Sequence, residues 1–566
     1  MTAEQLTPVR LEGQAKQIID TGRTRLLVTA AVFAFAFFAV SVRLAEVTLI
    51  SEAEEPRVTH AAAVTKVQTT RADIRDRNGL LLATNLTTAS LYANPRVIIN
   101  PDDAAAKLAR VLPDVSGAAL AQKLKSDRGF VWIKRHLTPR QQYAVNRLGI
   151  PGVDFQRDER RIYPAGPLAA HVIGMTDIDN KGLAGVERYF DEEVRSRSEA
   201  LYLSIDSRVQ HIATSELQRA MTTFKAIGAA GLVLDVQTGE IISMVSLPSF
   251  DPNDPGSAPG DTRFNRPVLG VYEMGSTFKI FTTAMALDSG VTSMTGGYDA
   301  SRPIQISRFT IRDYHGKNRW LTVPEIFVYS SNIGSARMAL DVGGPAQRAF
   351  LGKLGMLQAV PVELSEVGAP LVPQVWRDIN TMTIAFGHGL AVSPLHLAAG
   401  VAAIVNGGIY HNPTLLRRDS ATPPEGRRVI SAKTSREMRR LMLQVVENGT
   451  GKMARADGYL VGGKTGTAEK AIGHHYRQKA LLSSFIGAFP MNEPRYLVLA
   501  MLDEPQGNKE TMNYATGGWV AAPIVANIVK RSAPILGVAP IDESAPDIRR
   551  DMLVQVDYRE GARASR

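Results

Sequence analysis

From Leu26 to Val42 the chain carries no charged residue and is dominated by Ala, Val and Phe. A helix that is apolar on every face finds burial in a large core or in a bilayer, and little else suits it. Arg10, Lys16, Arg23 and Arg25 precede the run; Arg43 and then Glu52, Glu54 and Glu55 follow it. The run is short for a spanning helix, but Leu44, Val47, Leu49 and Ile50 extend it if the stem of Arg43 snorkels. The excess of positive charge on the amino side places residues 1–25 in the cytoplasm and everything after Ile50 outside. A cleaved signal peptide is the competing reading. Its apolar region would be long and Ala39-Val40-Ser41 makes a poor cleavage site, so the expectation is an uncleaved signal anchor over 26–50. No second run of this length appears, so the expected topology is single-pass.

The rest of the 566 residues, 45% hydrophobic and 21% charged overall, is long enough for roughly two to four domains with real cores. The net charge of +10 is compatible with nucleic acid, anionic lipid or a plain basic surface. No Lys/Arg stripe interleaved with aromatics is present, so nucleic acid is not an expected partner. The chain has no cysteine, which removes disulfides, thiol catalysis and cysteine-bound metal and fits an oxidising compartment.

Asp76-Arg77-Asn78-Gly79 between alternating apolar positions predicts a β-hairpin with a type I′ turn. Ala104–Leu112 and Ala118–Leu124 have helical spacing, parted by Pro113, and Phe130–Ile133 reads as a strand. Clusters at Arg160–Gly166 and Gly182–Glu187 suggest turns where backbones approach. His171 reads as a structural histidine, with no metal-ligand spacing around it. Nothing between Ser51 and Ala200 carries catalytic chemistry. From Leu201 the texture changes: a strand, an amphipathic helix over Val209–Phe224, and two strands, Gly228–Asp235 and Gly239–Val245, joined by so short a turn that they must be antiparallel. Ile280–Leu287 is apolar enough for a buried helix, and strands return near Phe485–Ala500. This order predicts an α/β (α+β) domain with a central antiparallel sheet flanked by helices. Ala539–Arg566 reads as a loosely held tail.

Three stretches carry chemistry. In Glu273-Met274-Gly275-Ser276-Thr277-Phe278-Lys279, serine and lysine share one helix face about a turn apart. A lysine desolvated beside another cation can lose its proton and serve as the base a serine nucleophile needs. Tyr329-Ser330-Ser331-Asn332 offers a hydroxyl and a carboxamide before a helical run; a helix cap is its plain reading. Val461-Gly462-Gly463-Lys464-Thr465-Gly466-Thr467-Ala468 sets a cation and two hydroxyls on a strand, suited to a carboxylate, where the plain reading is a turn. A Lys-Thr-Gly-Thr string arises by chance in only about one chain in a hundred of this length.

In this order the three resemble the S-x-x-K, S-D-N and K-T-G signature of class A β-lactamases and penicillin-binding proteins. Ser331 stands where the pattern has aspartate. With the clusters at Arg71–Ala83, Arg161–Gly174 and Gly182–Glu187, the chain is similar to class B penicillin-binding proteins over nearly all its length after the anchor. Ala72 replaces a usual glycine and Met274 a frequent proline. Asn332 and its surroundings look most like the division-specific type; the elongation-specific type, which more often has aspartate there, is the alternative.

The resemblance implies a cytoplasmic tail (1–25), transmembrane anchor (26–50), non-catalytic, dimerisation-type pedestal (51–200), transpeptidase domain (201–538) and tail (539–566). It implies D,D-transpeptidation of peptidoglycan stem peptides ending in D-Ala-D-Ala, with β-lactams as inhibitors. Ser276, Lys279, Ser330, Asn332 and Lys464 would be catalytic; Thr465, Gly466 and Thr467 would bind substrate. No cofactor or metal is implied. Implied partners are other division proteins, including a membrane glycan polymerase, and the implied location is the inner membrane at the septum, with the catalytic domain in the periplasm. Rival readings are a D,D-carboxypeptidase or β-lactamase, in which water resolves the acyl-enzyme, and a β-lactam sensor or inactive scaffold.

Overall fold

The structure is a computed structural model that describes residues 11–45, 71–306, 309–419, 424–472 and 475–552. The chain divides into two units, 1–68 and 69–566. In the first, helix α1 (Leu11–Ala45) contains Thr21–Leu44, the one helix among the described residues long and apolar enough to cross a membrane. At 1.5 Å per residue its 24 residues reach about 36 Å, enough for a hydrocarbon layer of about 30 Å. Val47, Leu49, Ile50 and the acidic group Glu52, Glu54 and Glu55 lie outside the described residues.

The second unit begins with the pedestal sheet. Its long strand β1 (Leu81–Ala93) pairs antiparallel with β2 (Val131–Leu137) and β3 (Val153–Ile162). Helices Pro101–Val111 and Gly117–Leu124, capped by Asn100 and Ser116, cover one face through Leu108, Leu120 and Leu124. The expected hairpin forms, Ile74 opposite Ala83, but its turn is not type I′. Only Gly79 takes a left-handed φ, of 91°. Asp76 replaces the second one: its Oδ1 accepts the N–H groups of Asn78 (2.8 Å) and Leu80 (2.9 Å), an Asx turn that Asn-Gly statistics do not reveal. His171 is buried, its Nε2 2.8 Å from the Thr262 carbonyl, and burial holds the imidazole down at about 4.

The larger sheet consists of β4 (Gly228–Asp235), β5 (Ile241–Leu247), β6 (Gly462–Ile472), β7 (His475–Phe489) and β8 (Tyr496–Asp503), in the order β6-β7-β8-β4-β5 and antiparallel throughout. Both faces are buried, and the period of two shows it. Val498, Ala500 and Leu502 of β8 face one core, Leu497, Leu499 and Met501 the other. On the first side pack the helices Ser207–Thr223 and Ala522–Ser532, through Val209, Leu217, Val525 and Val529. On the second lie α2 (Lys279–Ser289), the helix Pro394–Val405 and the helix Ala432–Glu447. The tail expected to be loose is docked as far as it is described. Ile541 N–H donates to Gly458 O at 2.9 Å, and Met552, ending the helix Pro546–Met552, is 1% exposed in the main core.

Candidate active site

The second face of the large sheet carries the site. Ser276 lies in the tight turn Gly275–Phe278 that runs into α2, and Lys279 is the first residue of that helix. Gly275 has φ 55°, and a Cβ there would fall 2.8 Å from the carbonyl oxygen of Thr467. A Cβ on Gly466 would fall 2.9 Å from Met274 O. The nucleophile turn and β6 therefore touch backbone to backbone, which brings the Lys464–Thr467 stretch beside Ser276. Ser330 sits just before α3 (Asn332–Val342), itself with φ 60°.

Lys279 Nζ is 2.9 Å from Ser276 Oγ, 2.9 Å from Ser330 Oγ, 2.6 Å from the Ser330 carbonyl and 2.7 Å from Asn332 Oδ1. The last two oxygens can only accept, and they match the two N–H bonds of a neutral amine. Its lone pair is then left for a hydroxyl proton, which is the arrangement a base for Ser276 requires. Lys464 Nζ is 3.0 Å from the same Ser330 Oγ, so one hydroxyl bridges two lysines. Both lysines are 0% exposed, and Ser276 is half-buried. Burial first, and then the Lys464 cation, push Lys279 well below its ordinary value, against a smaller opposing pull from Asp313. Lys464 is pushed down to about 7 by burial. Repulsion from Lys464 is thus a secondary cause for Lys279; desolvation leads for both lysines.

Ser276, Lys279, Ser330, Asn332 and Lys464 are brought to one point. Thr465 and Thr467 stand beside them on β6 and already carry protein partners. Thr465 Oγ1 is 2.8 Å from Thr450 Oγ1, and Thr467 Oγ1 accepts from the Gly517 N–H at 3.0 Å.

Asp313 escaped the sequence reading. Its Oδ2 accepts from the Ser331 hydroxyl at 2.7 Å, and its Oδ1 accepts from the N–H groups of Asn332 (2.6 Å) and Ile333 (3.0 Å). A carboxylate at the first turn of α3 satisfies free donors and suits the helix dipole. It pins the Ser330-Ser331-Asn332 loop, aided by Asn332 Nδ2 donating to Arg312 O at 2.9 Å.

Two family models match the chain: a penicillin-binding protein dimerisation domain over residues 66–222 and a penicillin binding protein transpeptidase domain over 229–530. The chain is 42% identical over 92% of its length to a probable peptidoglycan D,D-transpeptidase FtsI of Caulobacter vibrioides, covering 90% of that protein. It is 30% identical over 84% of its length to the peptidoglycan D,D-transpeptidase FtsI of Escherichia coli, covering 85% of it. Among solved structures, the transpeptidase domain of penicillin-binding protein 3 from Burkholderia pseudomallei superposes with TM-score 0.54 at 34% identity, over 60% of this chain and 98% of that one. Penicillin-binding protein 3 from Mycobacterium tuberculosis, complexed with aztreonam, gives TM-score 0.66 over 86% of this chain and 99% of that one; at 24% identity this is a likeness of fold. With one apolar N-terminal helix and relatives of this type, the chain fits a single-pass membrane protein. The two matched domains and the full-length relatives establish that the chain belongs to the class B penicillin-binding proteins, peptidoglycan D,D-transpeptidases of the FtsI type.

Proposed function

We propose that this protein cross-links peptidoglycan stem peptides through an acyl-enzyme on Ser276. Unprotonated Lys279 takes the Ser276 proton, and Oγ attacks the carbonyl of the penultimate D-alanine. The ammonium of Lys464 and the hydroxyls of Thr465 and Thr467 hold the terminal carboxylate, Gly466 giving the strand its close approach. Asn332, with an N–H beyond the one given to Arg312 O, holds the substrate amide. Backbone N–H groups of Ser276 and Thr467 receive the oxyanion. Ser330 relays the proton from Lys279 to the leaving amine, and terminal D-alanine departs. An amine from a neighbouring stem then resolves the ester. β-Lactams, as strained amides of similar shape, acylate the same serine.

One observation carries this reading: the 2.9 Å contact between Lys279 Nζ and Ser276 Oγ in a buried setting that favours the neutral amine. Labelled penicillin is expected to attach to the wild-type protein and not to Ser276→Ala; equal labelling of both overturns the scheme.

The basic residues Arg10, Lys16, Arg23 and Arg25, which precede the apolar run of α1, support a cytoplasmic amino end, and so a pedestal (51–200) and transpeptidase domain (201–538) in the periplasm. The likeness to FtsI proteins supports work at the division septum beside other division proteins, a membrane glycan polymerase among them. A tagged copy is expected at midcell; a dispersed sidewall pattern would favour the elongation role.

A further inference from the structure

Transpeptidation brings together two ligands of opposite charge. The donor ends in a carboxylate, whereas the acceptor arrives as a primary ammonium, because an alkylamine has a pKa of about 10 in water. The cluster of Lys279, Ser330 and Lys464 offers the second ligand the Lys464 cation, a hydroxyl and the neutral Lys279 amine, and no carboxylate within salt-bridge distance of either lysine among the described residues. A different group lies against the nucleophile turn. The loop Gly387-His388-Gly389 is clamped to the residues before Ser276. The Gly275 N–H donates to Gly387 O at 3.2 Å, and the Gly389 N–H donates to Glu273 Oε1 at 2.7 Å. The clamp is reinforced where Tyr272–Glu273 pairs antiparallel with Ala391–Val392. Among the described residues, the carboxylates of Glu273 and Glu469 and the amine of Lys279 are the titratable groups that bear on the His388 imidazole. The imidazole is partly exposed and its ring packs 5.4 Å from Phe386; Glu469 is exposed. The acylation chemistry uses none of His388, Glu273 and Glu469.

We propose that His388, in the field of Glu273 and Glu469, receives the acceptor's primary ammonium and takes its proton. This rests on the acyl-enzyme reading above and supplies its second half. One proton passes from the ammonium to the neutral imidazole, giving an amine and an imidazolium that the two carboxylates stabilise. The amine lone pair attacks the ester carbonyl, forming the C–N bond as the bond from carbon to Ser276 Oγ breaks. The second amine proton passes through Lys279 to Ser276 Oγ, and the imidazolium returns its proton to water. Burial holds the imidazole below its ordinary value, against an upward pull from Glu273, so at neutral pH it is ready to accept.

The two charge states of the pair give the test a distinctive pH profile. While ammonium and imidazole together hold one transferable proton, aminolysis is independent of pH from below the ordinary histidine value of roughly 6.5 up to about 9, short of the amine pKa. Without the imidazole, attack depends on free amine and rises about tenfold per pH unit. The full-length protein in detergent is given an acyl-D-alanyl thioester as donor and D-alanine as acceptor, and the ratio of aminolysis to hydrolysis is followed across pH. Wild type is expected to give the plateau. His388→Gln is expected to lose about a hundredfold at pH 7 and to show the slope, while labelled penicillin still attaches. Glu469→Gln, an exposed change, is expected to keep the plateau at a ratio about threefold lower, as loss of one partly screened charge implies. The proposal is overturned by a wild-type ratio and profile in His388→Gln, by an unchanged ratio in Glu469→Gln, or by loss of penicillin labelling together with aminolysis in His388→Gln. Failure of the wild-type protein itself to take up penicillin would instead remove the acyl-enzyme reading.

Discussion

The pedestal and the active site each bury strong charges and treat them in opposite ways. In the pedestal, Glu187 is 0% exposed and shares its oxygens between two arginines: Oε2 with Arg71 at 2.6 Å and Oε1 with Arg161 at 2.7 Å. Arg71 also donates to Asp191 Oδ1 and to the Glu187 carbonyl, both at 2.6 Å. In the active site Lys279 and Lys464 are as deeply buried, yet among the described residues neither has a carboxylate within salt-bridge distance. Their neighbours are hydroxyls, carbonyls and one carboxamide. A buried charge that is paired stays charged and fixes structure; one left unpaired is driven toward its neutral form. The pedestal network is a clasp, whereas the lysine pair is a reagent whose desolvation is kept because the chemistry needs a neutral amine.

The largest effect falls on the clasp. Glu187→Ala leaves Arg71 and Arg161 facing each other without their anion and is expected to cost about 3–5 kcal/mol, read as thermal unfolding of the full chain. A drop under about 1 kcal/mol would erase the contrast. Next is Asp313→Asn, which weakens a charged acceptor of three donors. Loss of about 1.5–3 kcal/mol of positioning is expected to slow penicillin acylation roughly tenfold to a hundredfold. Retention of the wild-type rate would mean that Ser330 and Asn332 hold their places unaided.

The lysines make a finer prediction. With Lys464 pushed down to about 7, its ammonium fraction falls from about one half at pH 7 to about one tenth at pH 8. Acylation by a β-lactam that bears a carboxylate should therefore fall about fivefold over that unit, and a β-lactam without one should show no such limb. Identical profiles for the two compounds would mean that Lys464 does not meet the carboxylate as a cation. Smallest is an exposed pair, Lys107 with Asp103 at 2.7 Å; Asp103→Ala should change stability by no more than about 0.5 kcal/mol beyond the helix-terminus contribution, read by the same unfolding measurement.

Much of the fold was legible because its signals are local. The antiparallel pairing of Gly228–Asp235 follows from a turn too short for anything else, and the uncharged run of α1 announces itself. The site was legible where residue types and spacing travel together, as at Ser276/Lys279 and along Lys464–Thr467. Asp313 was not. It lies 18 residues before Ser331, in an irregular excursion without periodicity, and only tertiary folding delivers it to the start of α3. His388 was missed for the same reason, since the contact that matters is backbone to backbone, from Gly387 to Gly275. The docked tail through Met552 misled by composition: a few apolar residues, Ile541, Ile548 and Met552, find the core although the segment as a whole is polar.

The central claim is that Lys279 works as a neutral amine and not as a fixed cation. Arginine has similar reach and stays protonated at any pH the protein survives, so Lys279→Arg separates the two. The rate of labelling by penicillin, with unfolding temperature as a control on integrity, is expected to fall about a hundredfold or more, the range a general base supplies. A folded Lys279→Arg protein that labels within about tenfold of wild type would contradict the account.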